Sequence, residues 1–550
     1  MLSRKFSATL CDRRSWPWLA LGVLAFLTGV WLRVWQLRTQ VPIDDEWHAV
    51  RALIGSGAAG IVTHFGYADY CIPLTLYYRW LYGLGALDEW QMHLPLLVAG
   101  VALLVIAPYL MRRSVPPPVR ALWIALMAVS PVLVYLSRTA RPYALTCLCA
   151  FVAIVAFDRW RRSGRSPGWA ITYVLAAVAA AWLHLLSVVF TLWPFLWFGV
   201  PALRNALRRS SREAGVRDVA RIGVLALATV VGLAAVLLPP LLGDWRSMIS
   251  KAGAGAVTGD TLQRSLLMAF GVSSAWLGVV LAILLVLGIA HSWRRRRGFT
   301  AYVLGMIVVG CSVIALARPA WVQHQQTFVR YALPALPFVL LFVAEGAAFA
   351  LSQLRIPALA AAAAALLVAG LVAAGPIPGY YYYPNQLMGH ELFQFDYAAE
   401  RNPYSTRLEL GPVPQFYRDL ATRPRGSITL IETPARLISH YLPDPWYQAI
   451  HRQNVKFALA APFCGSGEAD EFPYTATGTR FRSVGRLADI AEGATWGADY
   501  LVLRLHPWSV PPGIEMPWPD MEACASKVAA RVGEPVYRDG QIVVFALAKK

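Results

Sequence analysis

Residues 16–46 read WPWLALGVLAFLTGVWLRVWQLRTQVPIDDE: an apolar run, an Arg/Trp boundary, and then three consecutive carboxylates, Asp44, Asp45 and Glu46. A bilayer core about 30 Å thick is crossed by about 20 apolar residues in a helix, so this stretch predicts a first membrane span. The run continues into Trp31, Arg33 and Trp35 with no small-residue cleavage site, which argues against a removed signal peptide. The three acids then stand at a membrane boundary, where a carboxylate either faces water or takes part in chemistry. Only 13 acidic residues occur before residue 376, and six of them (Asp44, Asp45, Glu46, Asp69, Asp88, Glu89) lie between Thr39 and Trp90. That concentration marks loop 39–92 as the place to look for a site.

The rest of the chain fits a polytopic membrane protein: 57% hydrophobic residues, 15% charged residues and a mean hydropathy of +0.48 over 550 residues. About eleven spans are expected, starting near Trp16, His93, Val119, Tyr143, Trp169, Leu186, Ile222, Leu266, Thr300, Tyr331 and Pro357. Basic clusters fall on every second connection: Arg4 to Arg14, Arg112-Arg113, Arg159 to Arg165, Arg204 to Arg221, and Arg294 to Arg297. Positive residues beside spans stay in the cytoplasm, so the N-terminus is expected inside and loop 39–92 outside. An odd number of spans then puts everything after Gly375 outside as well. The net charge of +19 belongs to this topology: residues 1–375 carry 33 basic and 13 acidic residues, residues 376–550 carry 17 and 18. It suggests contact with anionic membrane lipid rather than nucleic acid.

Beyond Gly375 the long apolar runs stop, and residues 376–550 are expected to form a separate extracytoplasmic domain. Short β-like runs at 427–431, 455–459, 500–504 and 541–545 alternate with helix-like stretches such as 521–532, the rhythm of a small α/β fold. Gly375 to Gly379 reads as a linker and Tyr380 to Tyr383 as an interfacial aromatic anchor. Cys464 and Cys524 share this compartment, which permits a disulfide whose geometry the sequence leaves open. Between Gln40 and Gln91 many aromatics and no twenty-residue apolar run predict amphipathic helices lying along the membrane surface, a platform under the outer domain.

Asp44, Asp45 and Glu46 open an expected helix, where the dipole alone would favour carboxylates. The chemical alternative is a general base, with Asp45 first, Glu46 second and Asp44 beside them, its pKa raised by partial burial. A divalent cation is the one cofactor these residues suggest, held by Asp44, Asp45, Glu46 and His48. Arg138 and Arg141 stand at the outer end of their helices, where the positive-inside rule does not favour them. Snorkelling or pairing with the acidic loop would explain them, and so would gripping phosphate, which guanidinium groups do bidentately. Arg330, with His324 nearby, forms a second outer polar cluster; Lys251 is a further phosphate candidate, and Tyr78, Tyr143 and Tyr331 are candidates to position a substrate. His184, at the end of the fifth span, is expected to be a satisfied helix-end residue.

Four stretches together resemble the GT-C membrane glycosyltransferases, and within them the branch of protein O-mannosyltransferases and lipid A aminoarabinose transferases. They are the Asp-Glu pair after the first span; Pro73 to Gly83 followed by His93-Leu-Pro95; Ser130-Pro131 through Ser137-Arg138 to Arg141-Pro142-Tyr143; and Arg330-Tyr331 with Pro334 and Pro337. The likeness covers residues 15 to 375 and is most specific at the 130–143 hairpin. It implies a GT-C-like all-α membrane domain over 1–375, and transfer of a sugar from a polyprenyl-phosphate carrier to a lipid, glycan or protein acceptor on the outer face of a bacterial inner membrane. Attack would invert the anomeric carbon, with Asp45 or Glu46 as base and Arg138, Arg141 and Arg330 on the phosphate.

No Walker loop, dinucleotide-binding fingerprint or His-Glu-x-x-His motif is present in the sequence, which counts against an ATP-driven pump and a zinc protease. The alternative from another class is a transporter or flippase of a lipid-linked glycan. Transporters place polar residues near mid-membrane and repeat their halves. This chain gathers its charges at the outer ends of the spans.

Overall fold

The structure is a computed structural model describing residues 15–38, 40–42, 46–47, 49–50, 53, 56–66, 71–250, 252–253, 255–272, 274–378, 413–435, 444–465, 481–507 and 518–547. Asp44, Asp45, His48, Lys251 and the expected anchor Tyr380 to Tyr383 lie outside the described residues.

The helical part runs α1 (Trp16–Val34), α2 (Ala58–Thr63), α3 (Ile72–Gly83), α4 (Glu89–Met111), α5 (Pro117–Val129), α6 (Pro131–Leu136), α7 (Tyr143–Arg162), α8 (Pro167–Leu183), α9 (Val188–Leu207), α10 (Arg212–Ser250), α11 (Gly259–Phe270), α12 (Ala275–Ala317), α13 (Gln325–Tyr331), α14 (Leu336–Leu351) and α15 (Pro357–Ala374). Among the described residues eight helices, rather than eleven, are long and apolar enough to cross a membrane. The third and fifth expected spans are the shorter apolar helices Pro117–Val129 and Pro167–Leu183. The eighth and ninth are two arms of the 43-residue α12, bent where Arg296 leaves helical geometry at φ −143°, ψ 47°. The chain fits a multi-pass membrane protein.

Proline decides where the third expected span breaks. Pro131 has no N–H and its ring excludes the helical region for the residue before it, so Ser130 turns out at φ −63°, ψ 115° and α5 ends. The carbonyl of Met127 thereby loses its donor four residues on, and that of Ala128 loses its place in the helix. Arg33, fully buried on α1, fills both: its guanidinium donates to Met127 O and Ala128 O at 3.1 Å each, to Gly29 O at 2.9 Å and to Ser137 Oγ at 3.3 Å. The end of α1 is capped in return. Arg138 donates to Leu32 O at 3.2 Å and Arg33 O at 2.9 Å, and pairs with Gln40 through 3.0 and 2.9 Å bonds.

At the opposite end of the bundle, the bend in α12 is held by Arg296, which donates to Ser114 O and Ser292 Oγ and pairs with the buried carboxylate of Glu345 on α14. The two helices can approach because Gly288 and Gly346 face each other's backbone. A Cβ on Gly288 would lie 1.7 Å from Phe342 O, and one on Gly346 1.9 Å from Leu284 O. Small residues at helix contacts are how spans approach closely where no hydrophobic force drives them together.

The remaining described chain is an α/β unit: α16 (Gln415–Leu420), β1 (Thr429–Thr433), α17 (Asp444–His451), β2 (Asn454–Leu459), β3 (Val484–Arg486), α18 (Leu487–Ala491), β4 (Tyr500–Arg504), α19 (Met521–Val532), β5 (Tyr537–Arg538) and β6 (Ile542–Ala546). The sheet order is β3-β2-β1-β4-β6-β5, with the first four strands parallel and β6 antiparallel to β4. Alternate residues serve opposite faces. Leu430, Val502, Ile542 and Val544 pack with Phe416, Tyr417 and Tyr447, while Ile431, Leu501, Leu503, Val543 and Phe545 pack with Met521, Cys524 and Val528. Cys464 and Cys524 are joined by a disulfide, Cα–Cα 5.0 Å.

One ionic cluster is buried in this unit. Glu432 accepts from Tyr417 Oη at 2.9 Å, and Glu432 and Asp444 both lie 3.8 Å from the Arg504 guanidinium. Burial pushes the Glu432 carboxyl up to about 8, with repulsion from Asp444 adding to it and Arg504 opposing it. Asp444 is raised as well, chiefly by burial. A carboxyl raised on folding contributes stability that is complete below its unfolded value and lost as pH rises through its folded value.

Two outcomes follow. Gly346→Leu, forced into the backbone of α12, is expected to cost about 1–3 kcal/mol or more, read as a lower melting temperature of the full chain in detergent, whereas Gly370→Leu, in open space, should leave it near wild type. Hydrogen exchange of the β1 and β4 amides, corrected for intrinsic rate, should show protection falling between about pH 4.5 and about pH 8. Glu432→Gln should flatten that fall; an equally steep profile in the variant would remove Glu432 as its source.

Candidate active site

Glu46 and Trp47 are helical, as are Ala49, Val50 and Leu53, in agreement with a helix opened by the acidic triplet. The carboxylate of Glu46 does not face water; the residue is 1% exposed. Its Oε1 accepts from His93 Nε2 at 2.7 Å and from the backbone N of Ala140 at 2.6 Å. His93 is wholly buried in the second turn of α4. That helix starts here because Asp88 caps it, accepting from Gln91 N at 2.8 Å, with Glu89 in the first turn. Ala140 lies at the tip of the hairpin between α6 and α7. One carboxylate therefore joins three segments that are distant in sequence: the start of the outer loop, α4 and the hairpin.

The other hairpin residues close around it. Gln40, already paired with Arg138, places its Nε2 3.5 Å from His93 Nε2. Tyr78 on α3 is fully buried and directs its hydroxyl at Met92 O (3.1 Å) and Ala140 O (3.4 Å). Burial, with the neighbouring Cys71 and Glu46 adding to it, pushes the Tyr78 phenol well above its ordinary pKa, while Arg141 opposes the shift. It therefore acts as a neutral donor. The approach of the hairpin to α4 depends on Gly100, where a Cβ would fall 2.0 Å from Ser137 Oγ.

A second group adjoins the first through the tripeptide Arg141-Pro142-Tyr143. Tyr143 opens α7, His184 ends α8 with extended backbone, and Arg330 and Tyr331 end α13. His184 lies between two tyrosines, with ring centroids 5.5 Å from Tyr143 and 5.2 Å from Tyr331. The Arg330 guanidinium sits 5.3 Å above the Tyr143 ring and donates to Thr327 Oγ1 at 3.3 Å. Three helix breaks, at Pro142, at His184 and before Pro334, thus converge on one cation and three rings.

Of the expected site residues, the structure brings Glu46, Tyr78, Arg138 and Arg141 into the first group and Tyr143, Arg330 and Tyr331 into the second. Arg138 is engaged with the end of α1. His324 stands at the far end of α13, its ring against Trp321 at 5.9 Å, and partial burial lowers its pKa. Among the described residues no three His, Cys, Asp or Glu side chains converge. Of the four residues expected around a divalent cation only Glu46 is described, and its carboxylate is directed at His93 and the Ala140 amide. Sequence reasoning assigned no role to His93, Gln40 or Arg33. His93 entered only within the stretch His93-Leu-Pro95 and Arg33 only at the boundary of the first span.

No family model matches the chain, and no curated protein matches it. Among solved structures, the chain is similar to the archaeal oligosaccharyltransferase AglB from Archaeoglobus fulgidus in complex with an inhibitory peptide and a dolichol-phosphate: 13% identity, 89% of this chain, 69% of that one, TM-score 0.42. It is also similar to ArnT from Cupriavidus metallidurans, both bound to undecaprenyl phosphate (14% identity, 96% of this chain and 97% of that one, TM-score 0.41) and in the apo state (15%, 96% and 98%, 0.43). These are proteins of the kind the sequence resembles; at such values the likeness carries no argument about what this chain binds or transfers.

Proposed function

We propose that the chain is an integral membrane glycosyltransferase that moves a sugar from a polyprenyl-phosphate carrier to a lipid, glycan or protein acceptor on the outer face of a bacterial inner membrane. The observation that carries this reading is the anchoring of Glu46 beneath the hairpin, which ties the acidic triplet to Arg141 and through it to the Tyr143–Arg330 group. A base and a phosphate-binding cation are what such a transfer needs side by side.

Asp45 is the general base. It takes the proton of the acceptor hydroxyl or amine as that atom attacks the anomeric carbon from the face opposite the phosphate. The C–O bond to phosphate breaks, the configuration inverts, and the carrier phosphate leaves with its charge held by Arg141 and Arg330. Arg330 combines a bidentate fork with a tyrosine face at its back, a combination that lysine does not reproduce. Glu46 and His93 act as positioning residues: one carboxylate oxygen receiving two donors in a buried setting fixes Glu46 at the hairpin. Arg138 serves the same end by capping α1. The lipid-carried donor follows from the outer location, since nucleotide sugars are made and held in the cytoplasm. The Cys464–Cys524 disulfide supports that location, because disulfides persist in oxidising compartments. The basic connections 112–113, 159–165 and 294–297 support a cytoplasmic N-terminus.

Transfer is best tested with the purified chain in liposomes, radiolabelled polyprenyl-phosphate sugars and envelope extract as acceptor. Asp45→Asn should lower the rate by about 10²–10⁴-fold with donor binding kept. Glu46→Gln retains an oxygen for both donors and should lose far less. Comparable losses in both would make Glu46 a reacting group. Arg330→Lys should keep the charge and still lose about tenfold or more in kcat, the loss of one fork contact to developing charge. A broad donor panel that stays silent, together with Asp45→Asn complementing a deletion strain, would end the catalytic reading.

A further inference from the structure

The sheet unit meets the membrane part along two separate lines. The first is polar and runs to residues 85–89. Leu87 and Phe481 form a parallel β-bridge; Arg482 donates from its backbone N to Leu87 O at 2.9 Å and from Nε to Gly85 O at 3.2 Å; Ser483 Oγ donates to the Glu89 carboxylate. These contacts alone would dock the unit. The second line is apolar, and an aromatic pair stands in it. Phe481, 2% exposed, lies 5.1 Å from the Trp47 ring, which belongs to a different segment and is fully buried. Trp47 Nε1 donates to Pro42 O at 2.8 Å, and the interval between Pro42 and Trp47 carries all three carboxylates. The apolar core is continuous here: Val41, Trp47, Val50 and Leu53 pack in one cluster with Phe457, Leu459, Phe481 and Val484 of the sheet unit.

We infer that Phe481 is a positioning residue, through which the sheet unit sets where Glu46-Trp47 stands relative to the hairpin. The inference rests on the glycosyl-transfer reading and adds to it a role for the outer unit inside the catalytic step. The pair Glu46-Trp47 is then held from two sides, by Glu46 on His93 and Ala140 and by Trp47 on Phe481. Docking at 85–89 and positioning at Trp47 are separable, because the bonds of Arg482 and Ser483 do not involve the Phe481 ring.

Full-length Phe481→Ala and Phe481→Leu are compared with wild type in transfer kinetics and in hydrogen exchange read by mass spectrometry. Phe481→Ala should lower kcat about tenfold or more with the donor KM within about twofold of wild type, the signature of a displaced reacting group. Exchange over residues 40–53 should quicken while 143–162 stays protected, and Phe481→Leu should recover part of both. Wild-type kcat in Phe481→Ala, a change in KM alone, or unaltered exchange over 40–53 would overturn the inference. If Phe481→Ala exchanges rapidly throughout, it has misfolded, and Phe481→Leu and Phe481→Met decide on the same two readouts. A wild type that transfers nothing while Phe481→Ala still loosens 40–53 removes the transfer reading and keeps the mechanical coupling; ordinary transfer with unchanged Phe481→Ala kinetics removes the inference alone.

Discussion

Two buried arginines hold the architecture by supplying donors to helix ends that have none. In hydrocarbon an unmet carbonyl costs several kcal/mol, because no water can replace the missing partner. The break at Pro131 creates such carbonyls at Met127 and Ala128, and Arg33 fills them from α1; the end of α1 creates another set, and Arg138 fills it from the hairpin. The exchange is reciprocal. Moving α1 exposes the end of α5, and moving the hairpin exposes the end of α1. A backbone locked in this way can carry a carboxylate, a histidine and a phenol at fixed separations, which loops at a membrane surface do not do unaided.

This lock explains why one tight turn serves as the floor of the candidate site. Ser137, Arg138, Ala140 and Arg141 each do something different: Ser137 Oγ accepts from Arg33, Arg138 caps α1, the Ala140 amide donates to Glu46, and the Arg141 charge acts on Tyr78. Three of these four contacts fix the backbone. Arg141 leads through Pro142 to Tyr143, over whose ring the Arg330 guanidinium sits.

How far the chain could be read from its sequence depended on the range of the interaction. Local signals were legible. The helix 521–532 follows its composition residue for residue, and β1 starts two residues after the expected 427–431 because Ser427 bonds into the preceding turn and the Ile428 amide donates to Gln453. Pro131 and Pro142 announced the hairpin. Long-range pairing was not legible: nothing near His93 signals a carboxylate 47 residues earlier in the chain, and nothing near Met127 signals Arg33. The bend of α12 is a further case: the apolar runs on either side of Arg296 read as two spans, and nothing near Arg296 signals its partner Glu345.

The same reasoning separates the parts of the site by what would happen to each if the other half were absent. The Glu46–His93–Ala140 junction is closed by hydrogen bonds within the helical part, so it needs no help from the sheet unit to form. Trp47 donates to Pro42 O, and its ring lies against Phe481. A buried indole with one face left open would expose a large apolar area to water beside three carboxylates, and the chain would turn to cover it. The outer unit removes that freedom. Its contribution to any reaction at Asp45 would then be entropic, a restriction already present before substrate arrives, and it acts through a residue that touches neither donor nor acceptor.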